Sequence, residues 1–161
     1  MNCLVYNSDS EAATEALGIA LARLLPDGTV VALNGPLGAG KTRLVQALAA
    51  ASGVDPRDCV SPTFVLIHEY HGRRTIYHFD VYRILDDDEF LQLGPEEYFH
   101  AQEPALVVVE WAERVERCLP PQRVEIRIEP TGESVRCITI AAHGKSYRPV
   151  IEQLHTWAAN Q

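Results

Sequence analysis

Lysine is nearly absent from this chain, which carries two lysines against twelve arginines. Positive charge is scarce altogether: 14 Lys and Arg face 22 Asp and Glu, for a formal net charge of −8. Such a surface repels polyanions and argues against unaided binding of nucleic acid. The four cysteines (Cys3, Cys59, Cys118, Cys137) show no C-x-x-C spacing. They read as reduced, buried thiols of a cytosolic protein rather than as a zinc site. No apolar run approaches the roughly 18 residues that a membrane-spanning helix needs. The opening MNCLVYNSDSE lacks the basic-then-apolar order of a secretory signal. No N-K-x-D stretch is present, so nothing favours guanine over adenine.

What is present suits one domain over residues 1–161, with 47% hydrophobic residues to build a core. Residues 2–6 read as a short edge strand. Ser8 to Glu11 fits a capping box with Ser8 as N-cap. Ala12, Ala16, Ile19, Ala20 and Leu24 follow at helical spacing, with a stop near Pro26-Asp27-Gly28. TVVALN, 29–34, is β-branched and apolar and predicts a buried strand. After the glycine-rich stretch, Leu44, Val45, Leu48 and Ala49 mark one helix face, closed by Gly53. Phe64–Tyr70 and Thr75–Asp80 predict a hairpin around residues 71–74. Short helical patches follow at Asp87–Leu91 and Pro95–Phe99, then an apolar strand at Ala105–Glu110. Val124–Glu129 and Ser134–Ala141 predict a second hairpin around Pro130-Thr131-Gly132. Ser146–Ala159 fits an amphipathic helix with Ile151, Leu154 and Ala158 inward. The alternation predicts an α/β fold, a single domain with a mixed β-sheet flanked by helices, and the glycine-rich stretch GPLGAGKT between a strand and a helix makes that a P-loop NTPase.

GPLGAGKT, residues 35–42, matches G-x-x-x-x-G-K-[ST] in full, between a predicted buried strand and a predicted helix. Glycines let backbone approach a polyphosphate closely. Successive N–H groups and the positive end of the following helix then face it. Lys41 would bridge the β- and γ-phosphates and Thr42 would offer its hydroxyl to Mg²⁺. A compact ammonium suits that place, which explains a rare lysine in an arginine-using chain. A magnesium site calls for an acidic contributor at the end of an apolar strand. Glu110 ends ALVVVE and Asp80 ends TIYHFD, so both are candidates, one for the metal and one to orient water. Thr63, in Ser61-Pro62-Thr63, is either a γ-phosphate sensor or part of an ordinary turn. Trp111 is either a rim residue or a contact to nucleotide or partner. His68-Glu69-Tyr70-His71 is one residue short of a zinc-protease motif and lies on a predicted strand, where the two imidazoles would face opposite sides. Asp86–Glu89 reads as a solvated face.

Five segments in order, GPLGAGKT (35–42), SPTF (61–64), YHFDVYR (77–83), GPEEYF (94–99) and VEWAER (109–114), resemble the TsaE family, formerly YjeE. The resemblance runs over residues 1–141. It implies a cytoplasmic ATPase of low intrinsic activity in tRNA threonylcarbamoyladenosine biosynthesis. It also implies that this ATPase works with TsaB and TsaD and resets their complex between rounds at adenosine 37 of tRNAs reading ANN codons. By that matching, Leu37, Gly38, Ala39, Gly40, Lys41 and Thr42 hold the phosphates of ATP or ADP. Thr42 and Glu110 hold Mg²⁺, Lys41, Asp80 and Glu110 are catalytic, and Trp111 lies near nucleotide or partner. The matching also brings Glu11 and the Gly132 hairpin toward the adenine. Transfer RNA would be met only indirectly, through the complex, and no membrane is involved. Two positions depart from the family pattern: Pro36, which removes one N–H, and Arg43, where a second threonine is frequent. The same loop would also serve a small-molecule or nucleoside kinase, or a nucleotide-binding regulator without significant hydrolysis.

Overall fold

The computed structural model describes residues 2–59 and 66–161. Strands are β1 (Cys3–Ser8), β2 (Thr29–Asn34), β3 (Ile67–His71), β4 (Thr75–Asp80), β5 (Ala105–Glu110), β6 (Arg123–Pro130) and β7 (Arg136–His143). Helices are α1 (Glu11–Leu24), α2 (Lys41–Ala51), α3 (Asp87–Leu91), α4 (Pro95–Phe99) and α5 (Arg148–Ala158). Short 3-10 segments occupy Ala112–Cys118 and Lys145–Tyr147.

All six residues of β2 and all six of β5 are buried, so neither strand shows the alternation of a half-exposed sheet. A strand covered on both faces must lie inside a sheet with neighbours on both sides. The order is β1-β7-β6-β2-β5-β4-β3. Strand β2 pairs in parallel with β5 and β6, and β4 pairs in parallel with β5. The edges are antiparallel: β3 on β4, and β6-β7-β1. The sheet is therefore mixed, as the sequence predicts.

The pleat splits the core in two. Val31, Leu33, Leu106, Val108, Ile126 and Ile140 face α1, α2 and α5. Val30, Ala32, Phe79, Val107 and Val109 face Phe90 of α3, Phe99 of α4, and Ala112 and Val115 of the 3-10 segment. Ile151 and Leu154 of α5 are fully buried, while Ala158 is only partly so.

Helix α1 departs from the sequence reading in phase and in cap. Its buried residues are Thr14, Leu17, Gly18, Ala20 and Leu21, whereas Ile19 is 39% exposed. Alanines at helical spacing carry too little apolar area to fix a phase, and Leu17 and Leu21 set it instead. The N-cap is Ser10, whose Oγ accepts the Ala13 amide at 3.1 Å. Ser8 remains in β1 opposite Arg136, and its hydroxyl lies 2.7 Å from that of Thr14. The four cysteines are free, and only Cys59 is buried; Cys3, Cys118 and Cys137 are half-buried. The predicted start of the first hairpin, at Phe64, lies outside the described residues.

Gly18 is where α1 meets α2. A Cβ there would stand 2.6 Å from Ala47 Cβ and 3.2 Å from the Leu44 carbonyl oxygen. Glycine to alanine inside a helix ordinarily stabilises by about 1 kcal/mol. Here the sign reverses, because the two helices must separate. Gly18→Ala is expected to cost about 1–3 kcal/mol in urea denaturation, with a gain in stability refuting the close approach.

Candidate nucleotide site

Strand β2 ends at Asn34 and the chain turns directly into the 35–42 loop. Gly40 precedes α2 at φ +103°, a left-handed conformation that disfavours any side chain. Ala39 is 1% exposed and packs into the core beneath the loop. Its amide closes a turn onto the Pro36 carbonyl at 3.1 Å. Its carbonyl accepts the Arg136 Nε–H at 2.9 Å, which ties the loop to the β6–β7 hairpin. The first intrahelical bond of α2 runs from the Leu44 amide to the Gly40 carbonyl at 3.1 Å. The amides of Lys41, Thr42 and Arg43 thus open the helix without helical acceptors.

A cavity of about 430 Å³ covers this helix end. Leu37, Gly38, Ala39, Gly40, Lys41 and Thr42 form its floor, and Asp80, Glu110 and Trp111 form one wall. Ser10, Glu11 and Thr14 stand on another side, with Glu133, Ser134 and Arg136 of the hairpin. The two strand-end carboxylates meet because Asp80 and Glu110 are register partners across β4 and β5.

Lys41 is only 7% exposed. Its ammonium donates to the carbonyls of Gly35 and, at 3.0 Å, Pro36. The Trp111 ring centroid is 4.0 Å from it. Burial pushes the Lys41 pKa below its ordinary value, against the opposing pull of Glu110, Asp80 and Glu113. Asp80 is half-buried, and loss of solvent pushes its pKa up although its Oδ1 accepts the Tyr82 amide at 3.0 Å. Nearby Glu110 pushes in the same direction. Glu110 is 3% exposed, and its Oε2 lies 2.9 Å from His78 Nε2.

Trp111 sits at φ +60°, ψ +34°, unusual for a bulky residue. Its amide donates to the Leu33 carbonyl at 3.0 Å, and its ring packs on Tyr82 with centroids 4.8 Å apart. This turn brings the indole over Lys41 while it also packs against the second core cluster.

The oxygens of Thr42, Asp80 and Glu110 are hard donors, and they share the cavity with the phosphate-type loop. Among the described residues no cluster of three or more His, Cys, Asp and Glu could cage a metal by itself. That combination fits Mg²⁺, which takes one or two protein oxygens and fills its shell with water and phosphate.

Of the residues read from the sequence, the structure gathers Glu11, residues 37–42, Asp80, Glu110 and Trp111 at this cavity. Glu11 is exposed there and pairs with Arg43 at 3.2 Å. Gly132 does not line the cavity; it lies behind Glu133 and Ser134, and its carbonyl accepts Arg136 at 3.2 Å. Thr63 lies outside the described residues. Sequence reasoning missed Arg136 and His78. A polar residue two positions before Asp80 in a buried strand was the available signal for His78, since that spacing puts both on one face.

The family model for threonylcarbamoyl adenosine biosynthesis protein TsaE matches residues 8–138. The chain belongs to the TsaE family. The tRNA threonylcarbamoyladenosine biosynthesis protein TsaE of Bacillus subtilis is 39% identical over 155 residues, covering 96% of this chain and 95% of the relative. That of Treponema pallidum is 40% identical over 141 residues, 88% of this chain and 100% of the relative. The crystal structure of Bacillus subtilis YdiB superposes with a TM-score of 0.78 at 33% identity, covering 96% of this chain and 95% of that one. The fold is that of a P-loop NTPase, and no helix among the described residues is long and apolar enough to cross a membrane.

The depressed pKa of Lys41 has a measurable consequence. An ordinary lysine titrates near 10.5, so the folded protein gives up this proton at lower pH than the unfolded chain does. Stability should therefore rise as pH climbs from the folded value toward 10.5. Chemical denaturation of wild type and Lys41→Met, both free of nucleotide, should show wild type gaining relative to the variant across that window. Parallel curves would mean that Lys41 is solvated as in the unfolded chain.

Proposed function

We propose that this chain hydrolyses ATP with Mg²⁺ as a component of tRNA threonylcarbamoyladenosine biosynthesis. One observation carries the reading: in a TsaE-family chain, Lys41, the α2 amides and two strand-end carboxylates open onto one cavity. The loop amides and Lys41 would hold the β- and γ-phosphates, and Thr42 and Glu110 would hold the cation. Bound Mg²⁺ would neutralise charge on the phosphate oxygens. Asp80 is less buried than Glu110, and its raised pKa suits a group that handles the proton of an attacking water. Trp111 covers Lys41 and keeps bulk water from the ammonium. Glu11, Glu133 and Arg136 line the outer cavity, where the nucleoside end would lie.

The family resemblance supplies the setting: a cytoplasmic protein acting with TsaB and TsaD, whose complex it resets by hydrolysis between rounds at adenosine 37. A net charge of −8 supports contact with tRNA through those partners rather than directly.

Turnover of ATP by the chain alone should be slow and should rise with TsaB and TsaD present. Lys41→Ala and Glu110→Ala should each lower the stimulated rate by about a hundredfold or more, with Lys41→Ala also losing ATP affinity by calorimetry. Partners that alter neither affinity nor turnover would defeat the proposal. A phosphorylated metabolite formed in step with ADP would mark a kinase instead.

A further inference from the structure

His78 is 1% exposed, on the second-last turn of the pleat before the end of β4. It pairs in register with Val108, two residues before Glu110, and so lies diagonal to Glu110 on the same sheet face. That face carries α2 and the loop. His78 Nε2 lies 2.9 Å from Glu110 Oε2, and His78 Nδ1 lies 3.2 Å from the Tyr70 hydroxyl. Tyr70, 2% exposed, reaches across from β3. An ionised carboxylate only accepts hydrogen bonds, so Nε2 must carry the proton that faces it. In the neutral ring Nδ1 then accepts the Tyr70 O–H. Tyr70 also meets the Cys59 thiol, so its hydroxyl is shared between Cys59 and His78.

We infer that His78 is a positioning residue for Glu110, holding Oε2 and so fixing one orientation of the carboxylate at the phosphate loop, where a divalent cation would be held. The inference rests on the Mg²⁺–ATP reading above. A carboxylate this buried needs a donor to be held in a single orientation. Among the described residues His78 is the side chain bonded to Glu110, and Asp80 beside it repels it. His78 itself does not line the cavity, so it acts through Glu110 rather than on nucleotide.

The test is a double-mutant cycle read by calorimetry with a non-hydrolysable ATP analogue, with and without Mg²⁺. The quantity compared is the gain in affinity that Mg²⁺ confers. His78→Phe keeps the ring and removes the donor; it should cut that gain about tenfold. His78→Gln, which restores an N–H at similar reach, should recover most of it. In a Glu110→Gln background, His78→Phe should add no further loss. Equal losses in both backgrounds would mean a packing role only, and an unchanged gain in His78→Phe would equally overturn the inference. Should His78→Phe fail to fold, Tyr70→Phe decides: a smaller loss in the same direction is expected, and no loss overturns. A wild-type chain that binds the analogue without any Mg²⁺ gain would sink the Mg²⁺–ATP reading itself.

Discussion

Strand β2 has six buried residues, and its backbone groups must all be bonded within the sheet. Two parallel neighbours, β5 and β6, meet that demand. Parallel pairing forces each return of the chain to cross a face of the sheet, and the crossovers cover the apolar faces. It also sends the carboxyl ends of β2, β4 and β5 out at one edge. The loop at residues 35–42 follows β2 without an intervening residue, and Asp80 and Glu110 end the other two strands. The site thus lies where open parallel sheets place their ligands, outside the carboxyl ends of the strands. Its position follows from burying β2.

The same burial sets the electrostatics. An ammonium at 7% exposure has lost most of its water. Two loop carbonyls, the Trp111 face and three carboxylates compensate, yet the depressed pKa shows that desolvation outweighs them. Lys41 is therefore a strong donor held short of full compensation. On the proposed function, phosphate oxygens are the natural remainder of its shell, and selectivity for a multiply charged anion comes from that shortfall.

Legibility in the sequence tracked how much each segment had to bury. TVVALN and ALVVVE have the observed bounds of β2 and β5, because a fully apolar run flanked by breakers admits few alternatives. The two five-residue helices also match the predicted patches, and in the structure Asp86 caps the first while Pro95 opens the second. Helix α1 was less legible. Alanine fills both faces, so Leu17 and Leu21 set its phase, with Gly18 admitting Ala47 of α2. Ser8 satisfies the capping box in the sequence, and only the pairing of β1 with β7 removes it and leaves the cap to Ser10. The phosphate loop and both carboxylates could be read from spacing alone. The contacts of Arg136 and His78 could not, since they depend on a hairpin folding over the loop and on cross-strand register.

Asp80 and Glu110 are neighbours in register, yet their surroundings differ in kind. Asp80 is half-buried, bonded to the amide of Tyr82 and raised in pKa by lost solvent. Glu110 is deeper and faces an imidazole N–H supported by a tyrosine. Two like charges side by side in a poorly hydrated cavity repel, and a fold can relieve this by giving one a dedicated donor and leaving the other able to gain a proton. The group with a fixed donor suits steady coordination of a cation. The group with a raised pKa suits transient capture of a proton. On the proposed function, a difference of environment would divide the two tasks, and that difference is built by which strand each carboxylate ends.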